Sequence, residues 1–459
     1  QLINATEGHR GGKQIAPILR LLTSDLILDE PDDFNVEDLH ALCRLVNYAG
    51  LFGSKVLLSS ATLTPTIVES LFKSYQAGRK AYNHARKRGV QYPVACAWFD
   101  EKSCIAREHS EFEDFKKSHE EFIVKRVERI EEQPPLRKGK LIHLGDSESD
   151  EQKATIKFSD TIRDSIYNLH QLHSIANDSS GIKISVGLVR MANIDPLVMV
   201  AKELLSKSSK EDYALHFCVY HSRFPLIIRS EIEKILDKIL VRHNPSLIWD
   251  LSEVQEALKK KDSAKNHIFI VLATSVAEVG RDHDYDWAIV EPSSMRSIIQ
   301  LAGRVQRHRK VPPKEPNIHI LEKNIRALKS ENIPYSKPGF EKKETSMKLE
   351  ECSLFKILKE STYNVINAIP RLVKSTEQPT KDLVDLEHYR LESELEKSSE
   401  WNKGWSDCTA YFQNRFEFRA DETKKANYFY WYEDEGESPK IYEREDKRVL
   451  SQDDRFERD

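Results

Sequence analysis

The sequence predicts an α/β protein with mostly parallel sheets. Three observations carry that prediction. Short apolar runs such as Leu26-Ile27-Leu28, Val56-Leu57-Leu58 and residues 267–272 have the length of strands buried on both faces. Stretches of helical length lie between such runs, and strands that alternate with helices pair in parallel. Acids, hydroxyls or a threonine directly follow these three runs, at the strand ends where open α/β sheets bind ligands.

The elements follow in order. After the first run comes Asp29-Glu30-Pro31-Asp32, four residues of which three are acids. The box reads either as a metal-holding acidic turn or as a helix opening, since Asp32, Asp33 and Asn35 are good N-caps. A helix over 36–49 is expected, with Val36, Leu39, Leu42, Leu45, Val46 and Ala49 on one face. The second run leads into Ser60-Ala61-Thr62. Thr64-Pro65 then predicts an N-cap with proline at the first helical position. Residues 93–98 read as a strand and 108–132 as a charged, solvated helix. Pro134-Pro135 and residues 145–153 mark a linker.

Strands are then expected over 182–189, 214–219, 267–272, 287–291 and 318–321, with helices between. Domain boundaries follow: 1–103, a charged extension and linker at 104–154, a second lobe at 155–325, a connector at 326–380 and an accessory domain at 381–459. The last segment is rich in acids and aromatics, among them Trp401, Trp405, Tyr411, Phe412, Phe416, Phe418 and residues 428–432. Aromatics among basic residues stack single-stranded bases. The acidic balance favours a packed domain with its own core instead.

Two motifs close the second lobe. Thr274-Ser275-Val276-Ala277-Glu278-Val279-Gly280-Arg281-Asp282 follows the strongest apolar run. Gln300-Leu301-Ala302-Gly303-Arg304-Val305-Gln306-Arg307 spaces two arginines three apart. On a helix both guanidinium groups would share a face, where an anion relieves their repulsion. The competing reading is a solvated basic helix, because His308, Arg309 and Lys310 follow.

Composition bounds the rest. Charged residues make up 31% and the formal net charge is −4, so any nucleic-acid groove is a local patch and not a global field. Six scattered cysteines form no C-x-x-C pair, which argues for a reducing compartment and against a zinc site. No apolar run is long enough to span a membrane.

In this order, the acidic box, S-A-T, T-x-x-A-E-x-G-x-D and Q-x-x-G-R-x-x-R resemble the superfamily 2 helicases, whose two RecA-like lobes close on a nucleotide. The resemblance implies that Asp29 holds Mg²⁺ through water and that Glu30 orients and deprotonates the attacking water. It places Asp32, Ser60, Thr62, Gly280, Asp282, Gln300 and Gly303 at ATP, with Arg304 and Arg307 as arginine fingers. Thr6, Gly8 and Arg10 fall at one DNA-contacting motif, His221, Ser222 and Arg223 at another, and Thr274 at a third. For Arg223 a structural ion pair competes with a phosphate contact. Gln300 at the head of the last motif matches translocating DExH members.

Longer runs narrow the resemblance. Residues 5–12, 24–34, 220–225 and 278–287 together resemble the helicase–nuclease family of type I CRISPR–Cas systems, within it the I-F subtype. That resemblance implies an ATP-dependent, cytoplasmic DNA translocase moving 3′ to 5′ on single-stranded DNA. A guide-RNA surveillance complex would recruit it, and an upstream HD nuclease domain with its own metal ions would degrade the target. The CRISPR integrase and a phage-encoded inhibitor are further expected partners. No G-x-x-x-x-G-K-[ST] loop is present; Gly11-Gly12-Lys13-Gln14 lacks the hydroxyl and lies too close to Asp29. The chain starts at Gln1, so the expectation is a C-terminal portion with a truncated first lobe. His283-Asp284 is an H-D dipeptide without histidines at metal spacing, and no nuclease metal is expected there. The alternatives are a DExH helicase of DNA repair or RNA metabolism, and a binding fragment that hydrolyses nothing.

Overall fold

The computed structural model describes residues 2–7, 14–88, 92–278, 282–396, 427–431, 440–445 and 448–450. Two α/β lobes make up the body, as the alternation of apolar runs and helices predicts.

In the first lobe β1 (Leu26–Asp29) pairs in parallel with β2 (Val56–Ser59), Asp29 lying opposite Ser59. The helix Leu39–Phe52 buries Leu39, Leu42, Leu45, Val46 and Ala49, the face the sequence predicts. Val36 belongs instead to a separate 3₁₀ turn, Val36–Asp38. The helix stops at Gly53, whose φ of +85° suits glycine. The helix Pro65–Ala85 starts at the expected proline, but Thr64 makes no side-chain cap. Its hydroxyl is buried with no hydrogen-bond partner among the described residues.

A hairpin of β3 (Val94–Phe99) and β4 (Cys104–His109) follows. The helix Phe112–Glu131 then folds back on the lobe, with Phe115 stacked on Phe72 at 3.7 Å.

The second lobe is a sheet in the order β5-β11-β10-β7-β9-β8. These strands are β5 (Gly139–Ile142), β7 (Lys183–Arg190), β8 (Tyr213–Tyr220), β9 (Asn266–Ala273), β10 (Trp287–Val290) and β11 (Ile318–Leu321). All neighbours on that path run parallel. β6 (Ile175–Ala176) adds an antiparallel pairing to β7. Five strands match the expected runs within a residue or two. β5 does not, because it lies in the segment read as linker. Its sequence, Gly-Lys-Leu-Ile, carries too short an apolar run to register as a strand.

The sheet is covered on both faces. Phe158, Ile162 and Ile166 of the helix Glu151–His173 pack with Leu197 and Val200 on one side. Leu236, Leu240, Ile298 and Leu301 lie on the other, in a core continuous with Leu26, Leu42 and Leu45 of the first lobe. The helix Leu383–Glu396 joins the lobes, packing on both Pro65–Ala85 and Met295–Ala302. Its Arg390 pairs with Glu37 at 2.8 Å, and its Glu394 with His40 at 3.1 Å. No helix among the described residues is long and apolar enough to cross a membrane. Near the C-terminus β12 (Asn427–Trp431), β13 (Lys440–Glu445) and β14 (Arg448–Leu450) form an antiparallel sheet. Trp401, Trp405, Tyr411, Phe412, Phe416 and Phe418 lie outside the described residues.

Glycine sets the spacing of the two first-lobe helices. A Cβ on Gly78 would stand 2.1 Å from the Asn47 carbonyl oxygen and 2.7 Å from the Leu51 nitrogen. Alanine in a helix interior gains about 0.5–1 kcal/mol over glycine. Overpacking costs about 1–3 kcal/mol, and here the obstacle is backbone that no rotamer can clear. Gly78→Ala is therefore expected to lower the thermal midpoint, measured by circular dichroism. An unchanged or raised midpoint would show that the helices part freely.

Candidate functional site

The acidic box turns sharply after β1. Glu30 sits at φ +47°, an uncommon conformation for a residue with a side chain, and its N–H donates to the Ser59 carbonyl at 2.7 Å. The chain then reverses through Pro31–Asp33 and carries Asp32 back under the β2 loop. There Ser60 Oγ lies 2.7 Å from Glu30 Oε2 and 2.6 Å from Asp32 Oδ1, the contacts through which it can donate. Thr62 Oγ1 donates to Asp32 Oδ2 at 2.6 Å. Asp32 is buried, so these hydroxyls are what satisfies it.

The second lobe closes over the same acids. Gln300 Nε2 donates to Asp33 Oδ1, and Arg296 donates to the Asp32 and Phe34 carbonyls. Burial raises the Glu30 carboxyl above its ordinary range, and repulsion from Asp32, Asp33 and Asp29 adds to this against the Ser60 hydrogen bond. Burial likewise raises Asp33, opposed by Gln300 and Arg296.

Between the lobes lies a cavity of about 620 Å³. Asp29, Glu30, Asp33 and Thr62 line one wall, and Gln300, Gly303, Arg304 and Arg307 line another. Ser60 and Asp32 stand behind the first wall. The helix carrying the second wall ends at Ala302, so the arginines do not share a helical face as the spacing predicted. They leave on a turn, with Gln306 at φ +53°. Val305 bridges Tyr285 and so draws the turn against the preceding loop. Both arginines line the cavity nonetheless.

Arg304 donates to the Glu278 carbonyl, and Glu278 in turn receives Arg190 at 3.1 Å with both side chains buried. Arg307 pairs with Asp282 at 2.6 Å on the surface. Asp282 is held below its ordinary range by His308 and Arg307.

Behind this turn lies a network that sequence reasoning missed. Asp284, fully buried, accepts from the backbone N–H groups of Arg307 and His308 at 3.2 Å each. It also accepts from Arg309 at 2.7 and 3.0 Å. Asp286 pairs with Arg242 at 2.9 Å and with Arg309 at 2.5 Å. The alternation Asp282, Asp284, Asp286 ahead of a basic run was the available signal. Arg296 was also missed; it lies four residues before Gln300, so the two share a helical face turned to the first lobe.

The residues proposed at DNA lie apart from the cavity. His221, Ser222 and Arg223 follow β8, and Thr274 follows its neighbour β9. Arg223 forms an exposed pair with Asp195, and His221 stacks on Phe224 at 4.3 Å. Thr274 is nearly buried. Thr6 is wholly buried with its hydroxyl donating to Ile3 at 3.2 Å, so it is not presented at the surface. Gly8, Arg10 and Gly280 lie outside the described residues. His283 is buried, and its ring is within hydrogen-bond distance of Asp237 at 2.8 Å.

Residues 183–310 match the family described as the C-terminal part of the CRISPR-associated nuclease/helicase Cas3. Across 95% of its length the chain is 43% identical to the CRISPR-associated nuclease/helicase Cas3 subtype I-F/YPEST of Pectobacterium atrosepticum. Across 85% it is 44% identical to the same protein of Pseudomonas aeruginosa. The matches span 41% and 36% of those relatives' own lengths. Among solved structures, Cas3 of T. fusca with ATP is 15% identical, with a TM-score of 0.48 over 88% of this chain and 41% of that one.

The buried network gives a pH prediction. Burial pushes Asp286 up, but Arg242 and Arg309 outweigh it and hold the carboxyl below its ordinary value of 3.8. A depressed carboxylate contributes stability that is complete above the unfolded value and is lost as pH falls through the folded one. Thermal stability should therefore fall on acidification below about pH 4. Asp286→Asn leaves the buried Arg242 with an uncompensated charge while Arg309 keeps Asp284, at a cost of about 3–5 kcal/mol for breaking a buried pair. The variant should melt lower at neutral pH and respond less to acid; equal melting of the two proteins at pH 7 would refute the pairing.

Proposed function

Because the chain belongs to the family of the CRISPR-associated nuclease/helicase Cas3 of subtype I-F/YPEST, we propose that it is the motor of such an enzyme, coupling ATP hydrolysis to movement on single-stranded DNA. The observation that carries this reading is one cavity between two lobes, with Asp29 and Glu30 on one side and Arg304 and Arg307 on the other. Residues 1–103 and 155–325 are the two lobes, the second taking in Gly139–Ile142. Apart from that strand, residues 104–154 form an extension and 326–380 a connector, and 381–459 is an accessory segment whose first helix, Leu383–Glu396, packs on both lobes.

The residues present suit a metal nucleotide. Asp29 is exposed to the cavity and offers hard carboxylate oxygens of the kind Mg²⁺ takes, through water. The metal, when bound, neutralises phosphate charge. Glu30 orients a water and accepts its proton, and its raised pKa brings the carboxylate closer to working pH as a base. Asp32, with Ser60 and Thr62, fixes the turn that presents Glu30. Gln300 and Gly303 bring the arginine turn to the nucleotide. Gly280 and Asp282 border it, and Arg307 exchanges Asp282 for phosphate when the nucleotide enters. Arg304 and Arg307 then stabilise charge that develops at the transferring group.

His221, Ser222, Arg223 and Thr274, with Gly8 and Arg10 of the first lobe, track the DNA backbone, and Thr6 packs beneath them. In the whole protein we place an HD nuclease alongside this motor, which moves 3′ to 5′ after a guide-RNA surveillance complex has opened the target. The integrase and a phage-encoded inhibitor are further partners.

Two measurements on the whole protein test this. Glu30→Gln should keep ATP affinity and lose hydrolysis by about 10²–10⁴, the usual contribution of a general base. Normal hydrolysis would remove Glu30 from that role. Arg307→Ala should lose roughly 10³–10⁵ in DNA-stimulated ATPase, while single-strand affinity changes little. Arg223→Ala should weaken DNA binding and flatten its dependence on salt. If Arg307→Ala lost DNA affinity and kept its ATPase, the turn would be a DNA-binding element.

A further inference from the structure

Arg137 stands where no motif predicts a functional residue, just before β5. Its backbone is held on both sides by one side chain. The Lys138 N–H donates to Asn317 Oδ1 at 2.9 Å, and Asn317 Nδ2 donates to the Leu136 carbonyl at 3.1 Å. Its own carbonyl accepts from the Ile366 N–H at 3.0 Å. The side chain therefore leaves a clamped backbone in one direction.

That direction is the arginine turn. Arg137 Nε donates to the Ala302 carbonyl at 3.1 Å and to the Val305 carbonyl at 3.2 Å. Ala302 is the last residue of its helix, and Val305 lies between Arg304 and Arg307. Helix ends leave carbonyls without intrahelical partners, and a cation there also suits the helix dipole. One donor thus ties together the two ends of the segment that carries Arg304.

Arg137 also lines the cavity together with Arg304 and Arg307. Among the described residues no acid forms an ion pair with it. Burial, and after it the charge of Arg307, lowers its pKa, so it pays for standing in a cationic wall. A residue that served only to cap a helix would gain nothing from that placement. A wall that receives a polyphosphate would.

We propose that Arg137 is a positioning residue for the arginine pair, holding the Arg304 turn through Nε and completing the anion-facing wall through its Nη edge. This rests on the nucleotide reading of the cavity. Lysine at this position keeps the charge but loses the planar fork, so it cannot hold the turn and face the cavity as a fixed unit.

The experiment compares Arg137→Lys, Arg137→Ala and Arg307→Ala in the whole protein with single-stranded DNA. Arg137→Lys should keep KM for ATP within about twofold and lose kcat roughly tenfold to 10²-fold, the scale of a small misplacement of catalytic groups. Arg137→Ala should lose kcat at least as much and raise KM as well. In nucleotide-free protein, amide hydrogen exchange over residues 303–307 should quicken in both. If Arg137→Ala fails to fold, Arg137→Lys decides alone. Folded variants with wild-type kcat and KM, whatever their melting temperature, would reduce Arg137 to a helix cap and overturn the proposal. If those variants are normal while Arg307→Ala has lost turnover, only Arg137 falls. If Arg307→Ala keeps full turnover, the nucleotide reading itself falls.

Discussion

Four carboxylates within five positions, Asp29, Glu30, Asp32 and Asp33, repel one another at the end of β1, and the site is organised around relieving that repulsion. Asp29 keeps its water, but Asp32 is buried and Glu30 and Asp33 are partly so, and their relief comes from donors on other elements. Ser60 and Thr62 serve Asp32 from the loop after β2. Gln300 serves Asp33 from the other lobe, and Arg296 takes the backbone carbonyls beside it. The charge state of the box is thereby linked to how the lobes sit. Whatever neutralises those acids weakens the reason for Gln300 to stay.

Two kinds of ion pair divide the labour around the arginine turn. The pairs among Asp284, Asp286, Arg242 and Arg309 are buried, and breaking one costs about 3–5 kcal/mol because the partner charge is stranded. They fix the loop. The Arg307–Asp282 pair is about half exposed and sits at the edge of the cavity. An exposed pair is worth about 0–1 kcal/mol and is screened by salt, so it yields readily to a stronger anion. The fixed pairs lie behind the turn and the exchangeable one in front, as a site that holds an arginine ready requires.

The strands were legible because residues buried on both faces leave unbroken apolar runs. β7, β9 and β10 are nearly all buried along their length, and the sequence located each within a residue or two. β5 was not legible, because two apolar residues at a sheet edge make no run. The acidic box and the two arginines were visible as unusual clusters, but their geometry was not. Helical spacing placed the arginines on one face. The structure ends the helix before them: Tyr285 donates to the Arg304 carbonyl and accepts from the Gln306 N–H, and Asp284 then binds the N–H groups of Arg307 and His308, which commits the backbone to a turn. That contact spans 23 and 24 positions along the chain, and no local pattern reports it. Thr64 failed as a cap for a related reason: its hydroxyl is buried away from the amides it would serve.

The helix Met295–Ala302 is held at both ends by groups from outside its own lobe's sheet. At its start the Met295 and Arg296 N–H groups donate to Glu387, which also receives Arg371 at 3.0 Å. At its end Arg137 holds the Ala302 carbonyl. Between the grips, Arg296 and Gln300 reach across to the acidic box. Glu387 belongs to the helix that also holds Glu37 and His40 of the first lobe, so the start of Met295–Ala302 is tied to the first lobe. The other end, where Arg304 and Arg307 stand, is tied by Arg137 to the start of β5 in the second lobe's sheet, so one short helix couples the first lobe, the acidic box and the arginine turn.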